Sequence, residues 1–217
     1  MRYLIAFTLL VLFSCTACAD GQLRSLPDPA QDTPLAKTST QQKAVFAGGC
    51  FWGMQLVFQH VKGVVSATSG YAGGTANTAH YETVSSGTTG HAESVQVVYD
   101  PSKVSYGQLL KIYFAVAHNP TELNRQGPDS GTQYRSEIFT TDSEQQRIAQ
   151  AYIRQLDTAH VYPERIVTKV AALPGFYPAE AYHQNFATLH PYYPYIYIND
   201  RPTLEHLKEQ FPDWYRK

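Results

Sequence analysis

Apolar and polar positions follow two different periods along this chain, and one switch between them falls at Gly48–Gly53 (GGCFWG). Ala44–Ala47 (AVFA) is a short apolar run of strand character that stops at Gly48-Gly49. Phe51, Met54, Phe58 and Val61 then recur at i, i+3, i+7 and i+10, with Leu56 and Val57 widening the stripe, so a helix follows and Gly63 stops it. Val64–Tyr71 predicts a second strand, closed by a turn at Ala72-Gly73-Gly74. Glu93, Val95, Val97 and Tyr99 share one face of a third strand, which Asp100-Pro101 ends. Ser105 with Gln108 makes a capping box for a helix through Ala117, and Thr141 with Glu144 makes another for a helix to about Asp157. Short strands are expected at Glu137–Thr140 and Arg165–Ala171. Pro178 opens a helix (PAEAYHQNFA), and a last helix spans Thr203–Phe211 after the proline-broken aromatic tail HPYYPYIYI.

Two stretches carry neither period. Thr75–Gly90 is a Gly/Ser/Thr-rich loop around Tyr81-Glu82, and Asn119–Tyr134 is a long polar loop of the length that tends to carry function. The order β-α-β-β-α-β, then α-β, predicts an α+β fold with a two-layer split βαβ (ferredoxin-like) core, long irregular loops and a C-terminal extension.

Composition changes this picture mainly at the N-terminus. The 217 residues, 43% apolar with a formal charge of −1, suit one domain and lack the basic footprint of a nucleic-acid binder. Met1-Arg2 followed by the apolar run Leu4–Phe13 and small residues reads as an export signal over 1–19, the run being too short to span a bilayer. Cleavage after Ala19 fits the small-x-small pattern Ala17-Cys18-Ala19; lipidation at Cys18 (CTAC) or Cys15 (LFSC) fits a bacterial lipoprotein box. Residues 20–42, rich in Pro, Asp, Thr and Gln, read as a disordered tether, leaving 43–217 as the folded domain. The expected location is the bacterial periplasm, soluble or lipid-anchored, and the expected state a monomer.

Past the signal the only thiol is Cys50, so the body cannot form an intrachain disulfide. An unpaired thiol in an oxidising compartment is a liability unless it is used. Cys50 falls at the first turn of a helix, where unpaired N–H groups and the macrodipole favour thiolate, and Gly48-Gly49 let backbone approach a ligand closely. A small buried hydrophobe is the bland alternative. Glu93 points toward the core if its strand face does, and burial would raise its pKa and make it a general acid. Trp52, turned about 100° from Phe51, sits near the Cys50 mouth, where aromatic walls suit a methyl or thioether group; plain packing is the alternative. The eight histidines form no metal-ligand spacing, so no metal is expected.

GGCFWG, Tyr81–Glu93 (YETVSSGTTGHAE), Asp129–Ser136 (DSGTQYRS) and Ala179–Asn185 (AEAYHQN) together resemble the A-type peptide-methionine (S)-S-oxide reductases, over about Lys43–Asn199. The resemblance implies Cys50 as the catalytic cysteine and Glu93 as its acid. It also implies Phe51 and Trp52 as a methyl pocket, Tyr81 and Tyr134 as polar partners of the sulfoxide oxygen, Asp129 in the supporting network and His183 in support. It implies reduction of the S-epimer of methionine sulfoxide, free or in oxidised proteins and peptides, with no cofactor beyond a thiol reductant. Many members carry C-terminal resolving cysteines; this chain has none after Cys50, so an external thiol, small or thioredoxin-like, is expected to reduce its sulfenic acid. Rival readings are a cysteine hydrolase using His183 with Asn185, and a non-enzymatic binding lipoprotein.

Overall fold

The structure is a computed structural model that describes residues 26–217, so the export signal at 1–19, its competing cleavage and lipidation sites, and the start of the proposed tether lie outside the described residues. Chain order gives β1 (Gln42–Ala47), α1 (Phe51–Gln59), β2 (Val64–Ala72), α2 (Tyr81–Val84), β3 (Ala92–Tyr99) and α3 (Tyr106–Ile112). A small hairpin of β4 (Arg125–Gln126) and β5 (Asp129–Ser130) precedes β6 (Glu137–Thr140), α4 (Ser143–Thr158), β7 (Lys169–Ala172) and β8 (Phe176–Pro178). The chain closes with α5 (Phe186–Leu189) and α6 (Arg201–Gln210).

Six strands form one sheet in the order β7-β6-β1-β3-β2-β8, in a mixed α/β fold. β3 lies between β1 and β2 and runs antiparallel to both, so the β1–α1–β2 unit is split by a later strand. The period-2 pattern explains the two faces. Ala44 and Phe46 of β1 join Val95, Val97 and Tyr99 of β3 in the main core beneath α1, α3 and α4, whereas Val45 and Ala47 meet Ala72, Ala92 and Phe139 in a smaller cluster opposite. Phe46 anchors the main core, stacked between Phe58 and Tyr113 at centroid distances of 5.2 and 5.1 Å.

Several expectations shift by one competing bond. The Ser105–Gln108 capping box is present, but α3 ends at Ile112 and the next five residues form a π-turn rather than more α-helix. At α4 the cap is Asp142, not Thr141: its carboxylate accepts the Gln145 N–H, because Asp outcompetes a Thr one residue too early. Tyr81, placed in a loop by composition, opens α2. The helix expected from Pro178 does not form; Pro178 instead ends edge strand β8, paired with Gly70, and the next residues coil into a 3₁₀ turn at Ala181–His183. Proline is tolerated there because an edge position asks for no N–H. The Arg165–Ala171 strand is confined to β7.

The segment read as a disordered tether packs against the body from residue 26 onward. Leu26 is buried, Tyr152 Oη donates to Pro27 O (2.8 Å), and Ala30 N–H donates to Gln155 Oε1 (2.8 Å). Asp32 is the main clamp: its carboxylate accepts from Gly107 N (2.8 Å) and Ser105 Oγ at the start of α3, where the positive helix end favours it. Low hydrophobicity argued for disorder, but a few specific polar bonds fix a segment that brings little core of its own. Asp32→Ala is expected to lower the unfolding free energy by about 1–2 kcal/mol, as for a lost N-terminal cap, read as a shift in the urea midpoint.

Candidate active site

Three turns of chemistry meet where β1 hands over to α1. Cys50 is the residue before α1, half-buried, with φ −57° and ψ 126°. Antiparallel pairing of Phe46 with Val95 carries the residues after β1 to the start of β3, where Glu93 faces the same side as Val95, Val97 and Tyr99. Glu93 is 3% exposed, and its Oε2 accepts the Phe51 N–H at 3.0 Å. The carboxyl thus lies against the backbone immediately following Cys50.

The electrostatics differ from expectation at the thiol. Burial pushes the Glu93 carboxyl up to about 8, with the Phe51 N–H opposing and Asp129 and Asp200 adding to it. The Cys50 thiol is also raised, first by burial and then by Glu93 and Asp200, with the Trp52 N–H pulling the other way. A helix end contributes typically about 0.3–1 kcal/mol, under one pKa unit, whereas full burial shifts a group by up to about 3–5 units. Desolvation and the nearby carboxyls outweigh the helix end, so the thiol and the Glu93 carboxyl are both shifted toward their neutral forms.

The paired glycines are explained by neighbouring side chains of the protein. A Cβ on Gly48 would lie 2.8 Å from the His118 ring, and Gly49, at φ +92°, would meet Gln126 Cγ at 2.5 Å.

Most of the sequence-predicted residues converge on Cys50. Tyr81 and Tyr134 are half-buried, and each is raised first by burial and then by charge on Glu93 and Cys50, Tyr134 by Asp129 also. Asp129, at the β5 end of the hairpin, accepts a hydrogen bond from Tyr195 Oη. Phe51 is buried against Tyr71 (5.9 Å) and His183 (5.0 Å). Trp52 stacks on Phe186 at 4.0 Å and meets Tyr195 edge-on at 6.1 Å. His183 is 2% exposed, its ring packed among Phe51, Trp52, Tyr81 and Tyr182 with neither nitrogen hydrogen-bonded.

Four residues of the neighbourhood went unmarked by the sequence. Glu180 accepts from Tyr71 Oη (2.8 Å) and Tyr81 N (2.9 Å), holding the start of α2 in place. Tyr195 and Asp200, from the C-terminal tail, and His118, just after the π-turn that follows α3, line a cavity of about 300 Å³ together with Cys50. The aromatic tail and the long loop were visible as oddities, but nothing in their spacing pointed to Cys50. Neither His118 nor His183 supplies a hydrolase base: both nitrogens of His118 are spent on Tyr113 O and Ser136 Oγ, burial lowers it to about 4, and Asn185 bonds Gln59 rather than orienting His183.

A lone thiol at a strand-to-helix junction has a buried acid, two tyrosines and an aromatic wall for neighbours, a set of groups suited to cysteine redox chemistry. The family described as peptide methionine sulfoxide reductase matches residues 42–215, and the chain belongs to that family and is an enzyme of it. It is 63% identical over 174 residues to peptide methionine sulfoxide reductase MsrA 2 of Mesorhizobium japonicum, spanning 80% of this chain and 89% of the relative. It is 50% identical over 190 residues to MsrA 2 of Synechocystis sp., spanning 87% and 89%. Among solved structures it resembles methionine sulfoxide reductase A of Corynebacterium diphtheriae (TM-score 0.61, 32% identity, 77% of this chain and 86% of that one). It also resembles reduced Mxr1 of Saccharomyces cerevisiae (TM-score 0.64, 28% identity, 74% and 94%).

The buried acid has a measurable signature. Glu93 titrates near 4.5 when unfolded and about 8 when folded, so between those values unfolding releases a proton and stability falls as pH rises. The urea midpoint of the wild type should drop from about pH 5 to about pH 8.5, and Glu93→Gln should flatten that slope.

Proposed function

We propose that this enzyme reduces the S-epimer of methionine sulfoxide, free or in exported proteins, through a Cys50 sulfenic acid. The observation that carries the mechanism is the Glu93 carboxyl, buried, protonated near neutrality and hydrogen-bonded to the peptide N–H that follows Cys50. The Cys50 sulfur attacks the sulfoxide sulfur, negative charge develops on the sulfoxide oxygen, and Glu93 donates a proton there with the hydroxyls of Tyr81 and Tyr134 assisting. The thiol proton restores Glu93. In sum Cys50–SH and the sulfoxide give Cys50–SOH and methionine, on the oxidation ladder of cysteine. Because both groups rest neutral, a neutral substrate enters without meeting a buried charge, and charge appears only as the S–O bond breaks.

Trp52, backed by Phe51, Phe186 and the His183 ring, supplies an apolar wall for the methyl group, and Asp129 fixes Tyr195 beside it. Cys50 is the only cysteine among the described residues, which supports reduction of the sulfenic acid by an external thiol, small or thioredoxin-like. The strand order β6-β1-β3-β2 with α1 and α3 as crossovers supports the ferredoxin-like description of the core. The 1–19 leader supports export, with cleavage after Ala19 or lipidation at Cys18 or Cys15, and hence repair of proteins outside the cytoplasm.

Anaerobic single turnover of each epimer of a methionine sulfoxide peptide tests this. The S-epimer should yield one methionine per enzyme and add one oxygen to Cys50, and the R-epimer neither. Cys50→Ser should abolish the burst, and Glu93→Gln should slow it by roughly 10²-fold or more, the usual range for a general acid. A wild-type rate in Glu93→Gln would remove its acid role.

A further inference from the structure

Asp200 is a buried carboxyl that the sulfoxide chemistry leaves unused. It stands between the π-turn Ile196–Asp200 and α6, is 6% exposed, and its Oδ2 has no hydrogen-bond partner. Its Oδ1 sits where a side chain on Gly53 would be, and Gly53 follows Cys50 by three positions, one helical turn along the same face of α1. Cys50 and Asp200 share the walls of the 300 Å³ cavity; Glu93, Tyr81 and Tyr134 do not line it. Cys50 therefore neighbours two acids, Glu93 bonded to the Phe51 N–H and outside the cavity lining, and Asp200 within that lining with its Oδ2 unpartnered.

A sulfenic acid needs proton traffic of its own. The incoming thiol must lose a proton, and the departing hydroxyl must gain one. We propose that Asp200 is the acid–base group of this second half-reaction, taking the proton from a thiol that enters the cavity and passing it to the hydroxyl leaving Cys50. The S–H and S–O bonds break, an S–S bond forms, and water departs: Cys50–SOH and R–SH give Cys50–S–S–R and H₂O. A second thiol then cleaves the mixed disulfide, freeing Cys50–SH and an oxidised disulfide. Burial holds Asp200 at about 7, with Asp129 adding to the shift, so that it exchanges protons in the neutral range. The cavity volume admits a small thiol or one cysteine side chain, and His206, Asn199 and Thr203 complete its polar rim. This assignment rests on the sulfenic-acid mechanism above.

Asp200→Asn keeps the shape and removes the titrating oxygen. The variant enzyme is loaded to the sulfenic acid either with a methionine sulfoxide peptide or with hydrogen peroxide. Consumption of the sulfenic acid is then timed by rapid mixing with dithiothreitol and, in a parallel arm, with a reduced thioredoxin-type protein. The rate constant for consumption should fall at least tenfold relative to the methionine burst, within the usual range of general acid–base catalysis. A deficit with dithiothreitol marks a small-thiol entry, and one with the protein marks docking of a cysteine side chain; either supports the role. Trifluoroethanethiol, whose S–H is far more acidic, should recover most of the loss, which a purely structural defect would not allow. Unchanged consumption in both arms, or an equal loss with every thiol, overturns it. Peroxide loading separates the two hypotheses, since a wild type that makes no methionine would fail the sulfoxide mechanism while still reporting on Asp200.

Discussion

A single hydrogen bond organises this site: the amide of Phe51, the first residue of α1, donates to a carboxyl that β3 has carried into the core. That bond ties the helix start to the sheet and holds the acid at the residue after the thiol. It also stops short of satisfying the carboxyl fully, so burial still raises Glu93 to about 8. A stronger set of donors would pin Glu93 as a carboxylate and remove its proton. A more open position would do the same through hydration.

The resting charge state follows from that balance. Glu93, Asp200 and Asp129 surround Cys50 with carboxyls, and the dipole of one short helix is too weak to offset them together with desolvation. A thiol shifted toward its neutral form is also a poorer target for oxidants, because the thiolate is the form that they attack. In the mechanism proposed above, reactivity is tied to the arrival of a sulfoxide, whose reaction would draw on the protons of both groups. Aromatic packing of Trp52 against His183 and Phe186 builds an apolar wall next to the thiol.

Much of the fold was legible as period. α1 follows from the 3.6-residue stripe, β3 from alternation, β1 from a short apolar run and α4 from a helix-start signal, and Glu93 shares its strand face with Val95, Val97 and Tyr99 by parity. One misplacement was local, Asp142 capping α4 in place of Thr141. Others occurred where a tertiary bond outbid local preference: edge pairing took Pro178 from a helix, and Asp32 held down a segment of disordered composition. In the site, Gly48 and Gly49 carried the right residue type for a reason only contacts reveal, the rings and chains of His118 and Gln126.

The chain alone determined that one cysteine lies at a strand-to-helix junction, which acid shares a strand face with the core, and which family its four motifs belong to. These are local properties, set by side-chain period and by residue types at fixed spacing. Tertiary structure decided the upward shift of the Cys50 thiol, the support of Tyr81 by Glu180, and the arrival of Tyr195 and Asp200 from some 150 residues downstream. Desolvation and charge coupling depend on which groups pack together in space, and no spacing along the chain encodes that distance.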